Sequence, residues 1–331
     1  MADCDLSVIG AGSYGTSLAI SAASKGLRVM LWDRNPQRAQ TMQDERQNSQ
    51  YLSGIAFPDS LTVTSSLEHA VKSSLRLLIV VPSVTFKDVV TAVSAYITPQ
   101  HALAWATKGL SSDGRFLSDV ARECLPFKIP LAVLSGPTFA KELAKGLPTA
   151  ISVAGDPASF ASEICGLMHT PMFRLYESAD LIGLQIGGAV KNVIAIAAGM
   201  SDGLGYGANA RTAVITRGLA EMVRLGVACG ASERSFMGLS GFGDLILTCT
   251  DNQSRNRRFG VMMGQGKRVN VALHEIGQVV EGYAMVSVVH EFASSKGIEM
   301  PICSELYEVL YRGKNGADAA RTLLTRDLTS E

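Results

Sequence analysis

Three glycines spaced Gly10-Ala11-Gly12-Ser13-Tyr14-Gly15 follow directly on the apolar run Leu6–Ile9 and open the helix-forming stretch Ser13–Ser24. Strand, glycine turn and helix in that order leave few alternatives. The first glycine permits a tight turn, the second lets the backbone approach a pyrophosphate, and the third lets helix and strand pack closely. Phosphates then sit on unpaired N–H groups at the positive end of the helix. The spacing alone is weak evidence: with 32 glycines in 331 residues it arises by chance roughly 0.3 times. The chain carries its own control. Gly203-Leu204-Gly205-Tyr206-Gly207-Ala208 fits the relaxed form of the motif but has no strand before it, and it reads as a loop. Context therefore assigns dinucleotide binding to Gly10, Gly12 and Gly15.

The first half continues the pattern that the motif begins. Leu6–Ile9, Arg28–Trp32, Leu61–Thr64, Leu77–Val81, Ala102–Ala106, Leu131–Leu134 and Ala150–Val153 read as strands, and their continuous apolar runs suit strands covered on both faces. Ser13–Ser24, Pro36–Arg46, Thr85–Tyr96 and Thr138–Lys145 read as helices between them. Beyond about Asp180 the β-branched runs fade, and segments with helical spacing take over, among them Asp180–Met200, Arg211–Val227 and Ala284–Lys296. Glycines at 203, 205, 207, 238, 241 and 243 read as loops between these helices. The expectation is an α/β fold: a doubly wound domain over residues 1–180 and an all-α domain over 181–331.

Thirty basic residues balance thirty acidic ones, so no global field draws the chain to nucleic acid or a membrane surface, and the expected partner is a small molecule. The start, Met1-Ala2-Asp3-Cys4-Asp5, lacks the basic region and apolar core of an export signal. The longest apolar runs, around Leu75–Pro82 and Val193–Met200, fall short of the roughly 18 residues needed to span a bilayer. Six cysteines without a C-x-x-C pair read as reduced, mostly buried thiols. His274-Glu275 and His290-Glu291 begin a zinc motif whose second histidine is replaced by Gln278 and Ser294, so no metal site is expected.

Several segments carry chemistry-bearing residues where a doubly wound fold puts its ligands. The second strand ends at Asp33-Arg34, where Asp33 could accept from a ribose 2′-hydroxyl and Arg34 could pair with a 2′-phosphate; both cofactors stay open, with NADP(H) preferred. Thr107-Lys108-Gly109, Ser135-Gly136-Pro137-Thr138 and Pro82-Ser83 follow three further strands. Lys191 stands amid Ile186, Ala189, Val190, Val193 and Ile194, and either snorkels to solvent or is held in a cleft. Gly187 and Gly188, one turn away, would admit a ligand beside it. Asp244, in the loop Gly241-Phe242-Gly243, could orient the lysine or a substrate hydroxyl, or merely cap a helix. Asp251-Asn252-Gln253-Ser254 precedes the helix-forming Arg255–Gly264, so Ser254, Arg255 and Asn256 stand at a helix start suited to an anion.

These segments resemble bacterial NAD(P)-dependent glycerol-3-phosphate dehydrogenases: G-A-G-S-Y-G-T (10–16), A-T-K-G-L (106–110), L-S-G-P-T-F-A (134–140), G-G-A-V-K-N-V-I-A-I (187–196), G-L-S-G-F-G-D-L (238–245), T-D-N-Q-S-R-N-R-R-F-G (250–260) and V-V-E-G (279–282). They run in family order over nearly the whole chain. The resemblance implies a Rossmann domain, a helical C-terminal domain, often a homodimer, a cytoplasmic location and a supply of glycerol 3-phosphate for phospholipid synthesis. It also implies that Lys191 is the proton donor and acceptor, with Lys108, Gly136, Thr138, Asp244, Ser254, Arg255 and Asn256 around the substrate. Ser13, Tyr14, Arg34, Lys108, Ala140, Arg255, Val279 and Glu281 would touch the dinucleotide, NADP(H) or NAD(H). Tyr14 departs from the tryptophan or phenylalanine of many relatives but keeps an aromatic ring.

The chemistry agrees with these roles. Reduction of a ketone builds negative charge on its oxygen, which an ammonium can stabilise and then protonate. In reverse the lysine must be neutral, and burial or a neighbouring cation such as Lys108 would lower its pKa. The rivals are a similar dehydrogenase acting on a β-hydroxyacid or ketopantoate, which would need a carboxylate site in place of a phosphate site, and a nucleotide-binding sensor without turnover.

Overall fold

The computed structural model describes residues 3–326; Met1 and Ala2, part of the segment read for an export signal, lie outside it. Along the chain run β1 (Leu6–Ile9), α1 (Ser13–Ser24), β2 (Val29–Trp32), α2 (Pro36–Glu45), β3 (Leu61–Thr64), α3 (Leu67–Ser73), β4 (Arg76–Ile79), α4 (Ser83–Ser94), β5 (Ala102–Trp105), α5 (Leu117–Cys124), β6 (Leu131–Ser135), α6 (Ala140–Ala144), β7 (Thr149–Asp156), α7 (Ala158–Met168) and β8 (Phe173–Ser178). After them come α8 (Leu181–Gly203), α9 (Gly207–Ala228), α10 (Glu233–Phe236), α11 (Asp244–Thr250), α12 (Arg255–Gly264), α13 (Val269–Ile276), α14 (Glu281–Ser295), α15 (Pro301–Arg312) and α16 (Gly316–Leu324).

The strands form one sheet in the order β3-β2-β1-β4-β5-β6-β7-β8. The first six are parallel, β7 runs antiparallel to β6, and β8 is parallel to β7. An order of 3-2-1-4-5-6 reverses direction of progress between β1 and β4, and the carboxyl ends of the strands flanking that reversal form the ligand crevice of a doubly wound fold. β1, β5 and β6 are buried at every position, as the continuous apolar runs require. The N-terminal part is thus Rossmann-like and the C-terminal part helical.

Differences from the sequence reading have local causes. β8 is an edge strand in which buried Phe173 and Leu175 alternate with exposed Arg174 and Tyr176, a period too short and mixed to read as a buried run. α3, α5 and α7, not expected, cover the sheet between strands. The helix expected at Thr138–Lys145 contracts to Ala140–Ala144: the chain bends at Gly136, where φ is 155°, and is still extended at Phe139, the residue before the helix. Glycines 241 and 243 lie not in a loop but in a wide helical turn, Leu239–Gly243, that runs straight into α11. Of the six cysteines, Cys165, Cys249 and Cys303 are buried and Cys4, Cys124 and Cys229 half-buried, fewer buried than expected.

α8 organises the C-terminal part. Asp180 caps it, its Oδ1 accepting from Gly183 N at 2.7 Å. The helix is long and apolar enough to cross a membrane by composition, yet 89% of that apolar window is buried inside the protein. A helix apolar on every side needs a partner on every side; α9, α11, α12, α14 and the sheet strand β6 supply them.

Candidate active site

At the crevice, a Cβ on Gly10 would lie 2.3 Å from the Val80 carbonyl oxygen, and one on Gly15 would lie 1.9 Å from that of Gly10. Both positions hold the turn, the strands and α1 too close for any side chain. A Cβ on Gly12, by contrast, would enter open space. That is the geometry a pyrophosphate needs: a closed turn beneath, an open approach above, and the first N–H groups of α1, at Ser13 and Tyr14, left without a side-chain cap. The Tyr14 hydroxyl is buried and has no hydrogen-bond partner among the described residues. The Lys108 ammonium lies 5.4 Å from the centroid of its ring.

At the end of β2 the two candidate residues differ in their surroundings. Arg34 is exposed. Asp33 is 2% exposed and pairs with Arg38, a residue the sequence did not single out. Ala140 opens α6 opposite α1, Val279 is exposed, and Glu281 opens α14. Burial pushes the Glu281 carboxyl up from its ordinary range, while Arg255, Lys108 and Lys191 pull against that shift, so it shares their field.

Lys191 leaves α8 on the side facing α11, and at 5% exposure it does not snorkel. Its Nζ donates to Asp244 Oδ1 at 2.6 Å and to Thr248 Oγ1 at 3.0 Å. Thr248 in turn donates to the Asp244 carbonyl at 2.6 Å. Lys108 arrives from the carboxyl end of β5, and its Nζ donates to the other oxygen, Asp244 Oδ2, at 2.8 Å and to the Gly136 carbonyl at 2.9 Å. Asp244 itself is 1% exposed. Burial, joined by the charge of Lys108, pushes the Lys191 ammonium down to about 8 against the opposing pull of Asp244. For Lys108 burial is outweighed by Asp244, and its pKa goes up. An ammonium has three donors; each lysine has placed two among the described residues, leaving one apiece. Thr138 donates to the Gly136 carbonyl at 3.3 Å, and the buried Ser135 hydroxyl, also unpartnered, faces Gly188.

The two glycines on α8 divide their work. A Cβ on Gly188 would make ordinary contacts with Ser135 and Lys108 on the crevice side. One on Gly187 would lie 2.5 Å from the Ser240 carbonyl, so Gly187 makes room for the 239–243 turn and not for a ligand.

Ser254 caps α12 by accepting from Arg257 N at 3.2 Å, as expected. Arg255 is half-buried and forms no ion pair or hydrogen bond among the described residues. Asn256 is largely committed to the fold: it donates to Asn192 Oδ1 at 2.9 Å and accepts from Gly282 N at 2.9 Å, tying α8, α12 and α14 together. Thr248 and Asn192, which the sequence did not single out, stand one helical turn and one residue from residues that it did.

Fold and site together define an NAD(P)-dependent oxidoreductase with a Rossmann-like domain. Sequence profiles of the NAD-dependent glycerol-3-phosphate dehydrogenase N-terminus and C-terminus match residues 5–161 and 180–321. The chain belongs to that family. It is 57% identical to glycerol-3-phosphate dehydrogenase [NAD(P)+] of Tolumonas auensis, over 98% of both chains. The crystal structure of glycerol-3-phosphate dehydrogenase from Coxiella burnetii superposes with a TM-score of 0.95 at 41% identity, covering 98% of this chain and all (100%) of that one. A ketopantoate reductase from Ralstonia eutropha, at 14% identity and a TM-score of 0.60, covering 96% of this chain and 99% of that one, shares the fold alone.

Proposed function

We propose that this enzyme interconverts sn-glycerol 3-phosphate and dihydroxyacetone phosphate, with Lys191 as general acid and base. One observation carries the reading: Asp244 holds two lysines, Lys191 and Lys108, at the crevice where the glycine turn opens. When bound, NADPH or NADH supplies the hydride, and NADP+ or NAD+ accepts it. Gly10, Gly12, Ser13, Tyr14, Gly15, Arg34, Lys108, Ala140, Arg255, Val279 and Glu281 would hold the dinucleotide.

Lys191 uses its one unplaced N–H for the substrate oxygen. As negative charge grows there in reduction, the ammonium stabilises it and then gives up the proton. A pKa near 8 lets the neutral amine form and take the proton back in the oxidising direction. Asp244 and Thr248 keep Nζ aimed throughout, and Lys108 offers its own free N–H to the same region. Ser254, Arg255 and Asn256 would receive the substrate phosphate at the start of α12, where unpaired N–H groups and the free guanidinium favour an anion. Gly136 and Thr138 would line the opposite wall.

We further read the chain as dividing between residues 180 and 181, after β8 and at the cap of α8. It works as a homodimer in the cytoplasm, supplying glycerol 3-phosphate for phospholipid synthesis. The test of the reaction is direct: follow oxidation of NADPH or NADH with dihydroxyacetone phosphate as acceptor and ketopantoate as the comparison. Turnover of ketopantoate alone would favour the rival dehydrogenase. Binding of the dinucleotide without turnover of either would point to a sensor.

A further inference from the structure

In a doubly wound dehydrogenase an acidic residue at the end of the second strand accepts from the ribose 2′-hydroxyl and repels a 2′-phosphate. Asp33 stands at that place, yet its carboxylate faces inward. Arg38 Nη2 donates to Oδ1 at 2.7 Å and Arg38 Nε to Oδ2 at 2.8 Å, the two-pronged arrangement of a planar guanidinium on a carboxylate. Asn35 N donates to Oδ1 at 2.8 Å. Three of about four acceptor sites on the carboxylate are therefore used.

Arg38 is fixed in turn. Asn35 caps α2 by accepting from Arg38 N at 3.0 Å, which sets the residue on the first turn. Its guanidinium lies 5.3 Å from the Tyr51 ring centroid, and Nη1 points at the Tyr51 hydroxyl at 3.4 Å. The side chain remains 25% exposed, so the cation reaches the surface while its partner does not.

We propose that Arg38 is a specificity-determining residue that makes this enzyme prefer NADP(H), by holding the Asp33 carboxylate out of the ribose site and neutralising it. The inference rests on the cofactor reading above. With Asp33 cancelled by Arg38, exposed Arg34 leaves the end of β2 with a net positive charge. A 2′-phosphate meets attraction there, and a bare 2′-hydroxyl finds no free carboxylate.

The test measures binding by calorimetry without substrate, using 2′,5′-ADP as the probe that carries the 2′-phosphate and 5′-AMP as the probe that lacks it. Wild type should favour 2′,5′-ADP. Arg38→Gln exposes an uncompensated Asp33 and should weaken 2′,5′-ADP by roughly 10-fold or more, with 5′-AMP unchanged or tighter. Because that variant leaves a buried charge unpaired, Asp33→Asn/Arg38→Gln is measured beside it, with circular dichroism to verify folding. The double variant removes the repulsion and should recover much of the lost 2′,5′-ADP affinity. Equal losses for both probes in both variants would make Arg38 a structural residue only and overturn the proposal. A wild-type chain that binds 5′-AMP as well as 2′,5′-ADP would also overturn it while leaving the dinucleotide site standing. Failure of wild type to bind either probe would remove the cofactor reading itself, and the proposal with it.

Discussion

Lys108 and Lys191 come from different parts of the fold, one from the end of a sheet strand and one from a core helix, and meet on opposite oxygens of Asp244. One anion between two buried cations cannot fully compensate both. The deficit falls on Lys191, whose pKa drops to about 8, while Lys108 keeps its charge.

A pH dependence of opposite sign in the two directions follows. Reduction needs the protonated lysine, so kcat/KM for dihydroxyacetone phosphate should hold below about pH 8 and fall above it. Oxidation needs the neutral amine, so kcat/KM for glycerol 3-phosphate should rise through the same value. Lys108→Met removes a repelling neighbour and leaves Asp244 to Lys191, which should move both limbs to higher pH. Limbs that stay in place would mean another group titrates.

Lys191→Ala should lower kcat by on the order of 10²-fold or more and leave dinucleotide binding nearly intact, as a proton-transfer group requires. The measurement pairs steady-state rates with a cofactor titration of the folded variant. Near-normal turnover would remove Lys191 from the chemistry.

Arg255 offers a free guanidinium at the head of α12. Arg255→Ala should impair dihydroxyacetone phosphate far more than unphosphorylated dihydroxyacetone, with cofactor saturating, because only the former has a phosphate to lose. An equal loss on both acceptors would separate Arg255 from the phosphate.

Arg34→Ala should weaken NADPH more than NADH, since only NADPH offers the arginine a phosphate. Parallel losses in direct titrations of the two cofactors would show that Arg34 does not read the 2′ position.

Gly187→Ala tests the seating of α8 against the 239–243 turn. A methyl group 2.5 Å from the Ser240 carbonyl forces the turn away, which should cost about 1–3 kcal/mol and displace Asp244 just beyond it. Thermal melting reads the first effect and kcat the second; a variant that melts and turns over like wild type would contradict the packing described.

What the sequence made legible depended on whether a signal was local. The strand, turn and helix at Leu6–Ser24 were readable because all three are contiguous in the chain, even though the contact that confines Gly10, with Val80, is not. The start of α12 was readable because capping is set by adjacent residues. Asp33 was not, since its partner choice depends on the first turn of α2 folding back over the strand end. Gly187 was misjudged and the ties of Asn256 to Asn192 and Gly282 were not visible for the same reason: the sequence shows an absent side chain or an amide, but only packing reveals whether backbone, another amide or open space faces it. The edge strand β8 was lost because half of its residues face solvent.

α8 has no outer face. Neighbours grip it on every side, so any change of volume around its circumference is transmitted as a shift or rotation of the shaft that carries Lys191. A misplacement of about 1 Å at a reacting group can cost 10²-fold in rate. Substitutions with no contact to substrate or cofactor, on α9, α12 or α14, therefore act on catalysis as errors of alignment, and the tolerance of the whole helical half is set by the one side chain it keeps in aim.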